Sequence, residues 1–109
     1  MDFSYSQFQA MDLRIGKILS VEDILGADKL YKILVDVGTN QTTLVAGIKP
    51  FYTRESLIGQ KVAVLVNLEP KTIRGVESRG MILAAVSEDR KEVVLIMPEK
   101  DLPEGSIIK

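Results

Sequence analysis

Residues 30–48 read LYKILVDVGTNQTTLVAGI, and their alternation sets the fold class. Tyr31, Ile33, Val35 and Val37 fall on one side of an extended chain and are all apolar. Leu30, Lys32, Leu34 and Asp36 fall on the other side, which is half polar. A two-residue period of this kind marks a strand with one face against a core. The polar GTNQ at 38–41 then turns the chain, and TTLVAGI at 42–48 returns as the hairpin partner.

Working upstream, LRIGKILSVEDI at 13–24 is a second strand, with Leu13, Ile15 and Ile18 alternating and Gly16 in its interior. An interior glycine predicts a bulge or sharp bend, as a small barrel needs at its corners. Before it, SYSQFQAMD at 4–12 predicts a short helix. Ser6 and Gln9 stand at capping-box spacing there, and Phe8 anchors the turn. Downstream of Pro50, Thr53 suits an N-cap, Glu55 a first turn and Gly59 a C-terminal stop, which predicts one short helix.

KVAVLVNL at 61–68 is a β-branched run expected to be buried on both sides. GMILAAVS at 80–87 and EVVLIMP at 92–98 complete the strands around the charged turn EDRK. The tail, flanked by Pro98 and carrying Pro103, reads as an extended arm. Short strands with frequent turns and one central helix predict a small all-β barrel over residues 1–109. Five strands with the helix between the third and fourth describe an OB-fold; periodicity alone leaves other small barrels and a sandwich open.

The chain contains neither cysteine nor histidine. That removes thiol and Ser-His chemistry, disulfides and the usual zinc ligands, so no catalytic residue, metal or cofactor is expected. A reducing, cytoplasmic setting fits the lack of cysteine. No apolar run approaches the roughly 20 residues of a membrane span, and the acidic, polar N-terminus does not resemble a secretory signal. Net charge is −1 and the pI about 5.4, which counts against a uniformly basic nucleic-acid binder but not against a local basic surface.

The connection LEPKTIRGVESRGMILAA at 68–85 concentrates conformationally special residues. Pro70 cannot donate to a ladder, Gly75 and Gly80 permit unusual backbone, and Lys71, Arg74, Arg79 and Ser78 lie around them. Two readings are open: a structured loop whose polar groups satisfy buried backbone, or one wall of a groove where bases pair with phosphates. Lys29 and Lys32 in GADKLYK extend a basic stripe or simply guard a strand edge. Asn67, ending an apolar strand, either ties down a loop or faces a ligand. Met81 reads as core filler or contact surface. Lys49 stands beside Phe51 and Tyr52, and core packing claims those rings ahead of stacking on RNA.

Taken together, DLRIGKI, ADKLYK, FYTRESLIGQKVAVLVNLEP and RGVESRGMILAA resemble the tRNA-binding domain family, in order and over nearly the whole chain. The resemblance implies an OB-fold that binds tRNA by its folded shape, without catalysis. It implies partnership with methionyl-tRNA synthetase, in trans or as a β subunit, and homodimers formed through segments 1–10 and 98–109. A secretion-chaperone branch of the family that binds peptide is the alternative. Matched position by position, the family pattern points to Lys29, Asn67, Ser78 and Met81, with Lys71 and Arg74 matching more loosely. The balance for Lys71, Arg74 and Ser78 then moves to the groove wall. Two departures stand out: Glu69 where the family often has lysine, and Leu25-Gly26 where it often has His-Pro.

Overall fold

The computed structural model describes residues 1–109. Its elements are α1 (Tyr5–Gln9), β1 (Leu13–Ile24), β2 (Ala27–Asp36), β3 (Gln41–Ala46), α2 (Arg54–Leu57), β4 (Lys61–Leu65), β5 (Lys71–Ile73), β6 (Val76–Ser78), β7 (Met81–Ile82), β8 (Ala84–Val86) and β9 (Val93–Leu95). Five strands form an antiparallel sheet in the order β3-β2-β1-β4-β7, and β5–β6 and β8–β9 are separate hairpins. The fold is all-β, as the alternation requires.

Tyr31, Ile33, Val35 and Val37 are all buried, and β3 pairs with β2 so that Ile33 faces Leu44. They belong to a cluster of 13 buried residues that also takes in Ile18, Leu57, Val62 and Val64. Val62, Ala63 and Val64 are consecutive and all buried, so β4 is covered on both faces. Helix α2 lies between β3 and β4, as expected, with Thr53 Oγ1 accepting the Ser56 N–H and Gly59 at φ +87° ending it. Its one buried side chain, Leu57, plugs the core.

Four details differ from the sequence expectation. Helix α1 is capped by Ser4 and Gln7, not Ser6 and Gln9: Ser4 Oγ accepts the Gln7 N–H at 3.1 Å and Gln7 Oε1 accepts the Ser4 N–H at 2.8 Å. The same Ser-x-x-Gln spacing occurs twice, and the upstream copy closes the box.

The register shifts in β1 fall between Ile18 and Ser20 and between Asp23 and Ile24 rather than at Gly16. Gly16 has another cause. A Cβ there would lie 2.5 Å from Val35 Cγ1 and 2.8 Å from Val64 Cγ2, so the glycine admits side chains from strands on both sides.

The second half of the chain is broken into short pieces by Pro70 and by Gly75 and Gly80, both at positive φ. As a result the five-stranded ladder does not close into a barrel by strand pairing. Three bonds span the seam instead. The Val45 N–H donates to Ser78 Oγ at 2.9 Å, the Arg79 N–H to the Thr43 carbonyl at 2.9 Å, and Thr42 Oγ1 to the Arg79 carbonyl at 3.0 Å.

Phe51, expected in the core, is exposed, while Tyr52 packs against the core with its hydroxyl accepting the Leu95 N–H. Proline 50 and the following turn carry the Phe51 ring outward, one position away from the Tyr52 ring.

The C-terminal arm lies along β1. The Gly105 N–H donates to the Ile15 carbonyl at 2.7 Å, and the Ile108 N–H to the Leu13 carbonyl at 2.9 Å. Lys61 Nζ fastens the arm by donating to Asp101 Oδ1 and to the Leu102 carbonyl, both at 2.7 Å. That hydrogen bond, reinforced by the charge of Lys61, holds the Asp101 carboxyl below its ordinary value; the bond to Asp101 in turn raises Lys61.

Candidate nucleic-acid interface

The connection singled out in the sequence folds as a small hairpin. Lys71 pairs with Ser78, Thr72 with Glu77 and Ile73 with Val76, leaving Arg74-Gly75 as a two-residue turn. Both turn residues have positive φ, 51° at Arg74 and 79° at Gly75, which is the signature of a type I′ turn. Asparagine, aspartate or glycine ordinarily fills the first of those positions. An arginine there costs roughly 1–2 kcal/mol of backbone strain, and such strain concentrates at functional positions.

Charge follows the same division. Six close ion-pair contacts are present, and none involves Lys71, Arg74 or Lys29. All three are exposed. Lys32, in contrast, stands 3.8 Å from Glu22, and Arg79 is bonded to Glu77. Lys49 is paired with Asp23 at 3.0 Å and sits 5.9 Å from the Tyr31 ring centroid rather than beside Phe51 and Tyr52. The hydrogen bond from Lys49 holds the Asp23 carboxyl below its ordinary value.

A cleft of about 460 Å³ lies between the hairpin and the sheet. The sheet contributes Lys32, Asn40, Gln41, Thr42 and Thr43; the hairpin contributes Gly75, Val76, Glu77 and Arg79. Of the sequence-singled residues, this cleft unites Lys32 and Arg79, with Lys71 and Arg74 on the hairpin that walls it. Lys29 is the third residue of β2 and is not among the residues lining the cleft.

Two of the other three are bonded elsewhere in the chain. Ser78 is 7% exposed, and its hydroxyl accepts the Val45 N–H across the seam. Asn67 ties the N-terminal segment down: its Oδ1 accepts the Asp12 N–H at 2.8 Å and its Nδ2 donates to the Ala10 carbonyl at 2.7 Å. Met81 is 44% exposed on β7, opposite Leu65. Gln41 and Thr43, which also line the cleft, were not singled out because GTNQTT reads simply as a turn entering a strand, and Glu77 was passed over as one acid among the loop's bases. The signal available was the density of neutral hydrogen-bonding side chains in that run.

A second hollow, of about 620 Å³, surrounds the β1–β2 turn at Leu25-Gly26 and includes Asp23, Asp28 and Lys49. No three His, Cys, Asp or Glu side chains come together as metal ligands. What the hairpin and cleft offer is cation contact on one side and neutral hydrogen bonding on the other.

Residues 13–107 match the family model described as "Putative tRNA binding domain". Over 106 residues, 97% of this chain, the sequence is 49% identical to a methionine–tRNA ligase of Nanoarchaeum equitans, and it spans 13% of that protein's length. Among solved structures, a MetRS-related protein from Pyrococcus horikoshii superposes with a TM-score of 0.93 at 35% identity, covering 100% of this chain and 99% of that one. The chaperone CsaA of Bacillus anthracis superposes with a TM-score of 0.89 at 31% identity, covering 100% of each chain. The matched module is an RNA-binding one without catalytic machinery, and this chain belongs to the tRNA-binding domain family.

Proposed function

We propose that this chain is a structure-specific tRNA-binding protein that acts in trans with methionyl-tRNA synthetase or as its β subunit. The observation that carries the reading is the β5–β6 hairpin, which presents Lys71 and a strained Arg74 with no carboxylate to neutralise either. Those cations take phosphates, Lys29 adds a third contact, and the cleft receives the adjoining RNA surface. The protein holds the tRNA body and raises its local concentration for the synthetase in the cytoplasm. Ser78 supports this surface by holding the hairpin to β3, exposed Met81 adds contact area, and Asn67 joins the surface while tying down the N-terminal segment.

Residues 1–10 and 98–109 supply a homodimer contact. Its support is a hollow of about 200 Å³ lined by Tyr5, Phe8, Met11 and Ile107, among which Tyr5 and Ile107 are well exposed. Binding of folded tRNA, followed by fluorescence anisotropy at two salt concentrations, tests the main reading. Two to three phosphate contacts give a log–log salt slope of about −2 to −3 per protomer. No binding at low salt would end it.

The likeness to CsaA supports a second reading, a peptide-binding chaperone. Val86, Val94, Ile96 and Met97 are exposed on and beside the β8–β9 hairpin and would receive an unfolded segment. This reading requires the protein to delay aggregation of a denatured client in a manner tRNA does not inhibit.

A further inference from the structure

The cleft beside the β5–β6 hairpin is chemically unlike the hairpin's outer surface. Its two cations are already claimed, Lys32 by Glu22 and Arg79 by Glu77, whereas Lys71 and Arg74 outside it are unpaired. A phosphate entering the cleft would meet Glu77, a like charge. No aromatic side chain lines the cleft to stack a splayed base, and its one guanidinium, Arg79, is bonded to Glu77. A ribose hydroxyl needs neither. It is donor and acceptor at once, and it is matched by neutral amides and hydroxyls.

The sheet side provides these groups in register. Gln41 stands opposite Asp36, Thr43 opposite Leu34 and Val45 opposite Lys32, so Gln41, Thr43 and Lys32 share the outer face of the β2–β3 pair. Leu44, alternating between them, points into the core and is fully buried. The neighbouring polar side chains are engaged: Thr42 Oγ1 donates to the Arg79 carbonyl, and Asn40 bonds Thr39 and the Gln41 carbonyl. The Gln41 amide and the Thr43 hydroxyl have no such partner within the chain.

Resting on the tRNA-binding reading, we infer that Gln41 and Thr43 read ribose 2′-hydroxyls of a paired RNA segment and are the residues that distinguish RNA from other duplexes. An A-form helix displays its 2′-hydroxyls across a wide, shallow minor groove, where side chains on a protein surface reach them. Lys71 and Arg74 on the hairpin then meet the phosphates at the groove's edge. Sequence independence follows, because every nucleotide presents the same ribose.

The test compares one tRNA transcript made with ordinary nucleotides and one carrying 2′-fluorine in place of the hydroxyl at every nucleotide. Fluorine keeps the A-form sugar pucker but removes the hydroxyl donor. The wild-type protein should bind the fluoro transcript about tenfold more weakly, the loss expected of two neutral hydrogen bonds. A Gln41→Ala, Thr43→Val double variant should bind both transcripts equally; valine preserves the β-branched shape of threonine, and circular dichroism checks the fold. Arg74→Ala should weaken binding to both transcripts by the same factor and leave their ratio intact. Equal affinity of the wild type for the two transcripts would overturn the ribose assignment while leaving tRNA binding standing. Failure of the wild type to bind either would remove tRNA binding itself, and the assignment with it.

Discussion

The molecule contains two hairpins turned by two-residue tips, β1–β2 at Leu25-Gly26 and β5–β6 at Arg74-Gly75, and they use their residues in opposite ways. In the first, only the glycine of the tip takes positive φ; in the second, the arginine takes it too. The strands of the first supply Ile18, Val21, Tyr31, Ile33 and Val35 to the core, and its cross-strand charges Glu22 and Lys32 neutralise each other. The second buries only Ser78 and leaves Lys71 and Arg74 unneutralised. One hairpin makes the fold. The other is held by the fold, through three seam bonds, with its two cations left exposed.

The contrast can be broken most directly at its structural end. Ile33→Ala, at a fully buried core position, should cost about 2–5 kcal/mol in a denaturant titration. A loss below 1 kcal/mol would mean that β1–β2 is not the core-building hairpin. Next comes the seam. Ser78→Ala leaves the Val45 N–H without its acceptor and should cost about 1–3 kcal/mol. That variant should also loosen the hairpin, measured as faster hydrogen exchange at Arg79. Undisturbed stability would show that β5–β6 is secured by something other than these bonds.

The smallest effect concerns the arm. Asp101 is held below its ordinary 3.8, so its share of the latch is present above that value and is lost as pH falls through the lowered folded value. Lys61 is raised above 10.5, so its share is present below that value and is lost as pH rises through the raised one. Asp101→Asn should therefore speed amide exchange at Gly105 and Ile108 near neutral pH, with the difference shrinking as pH falls through the lowered Asp101 value once the intrinsic rate is removed. Equal protection in variant and wild type at pH 7 would detach the Lys61–Asp101 pair from the arm's docking.

How far the sequence carries the fold differs between the same two hairpins. Tyr31 to Val37 alternate strictly because one face must leave water, and that constraint is written in residue type. The helix at Arg54–Leu57 is equally legible, since Thr53 and Gly59 perform local tasks. The barrel seam is not legible. Nothing in the types of Ser78 or Thr42 says that their hydroxyls replace backbone partners across residues far apart in sequence.

The site was half visible. Lys71, Arg74 and Gly75 stood out as bases beside a permissive glycine. Asn67 stood out as a polar residue ending an apolar strand and Ser78 as a hydroxyl among bases, and their partners are within the chain. Gln41 and Thr43 were overlooked because a polar turn is common, and only the packed arrangement shows that their side chains are unengaged.

The central claim is that β5–β6 is a binding element whose tip arginine is kept at a structural cost. Arg74→Gly tests it in one protein, by thermal unfolding and tRNA anisotropy on the same sample. Glycine accepts the positive φ without strain, so stability should be unchanged or higher by up to about 1 kcal/mol. Affinity for all tRNAs should fall together, and the salt slope should shrink by about 1. A variant that is less stable yet binds tRNA as tightly as the wild type would make Arg74 a structural residue and contradict the account.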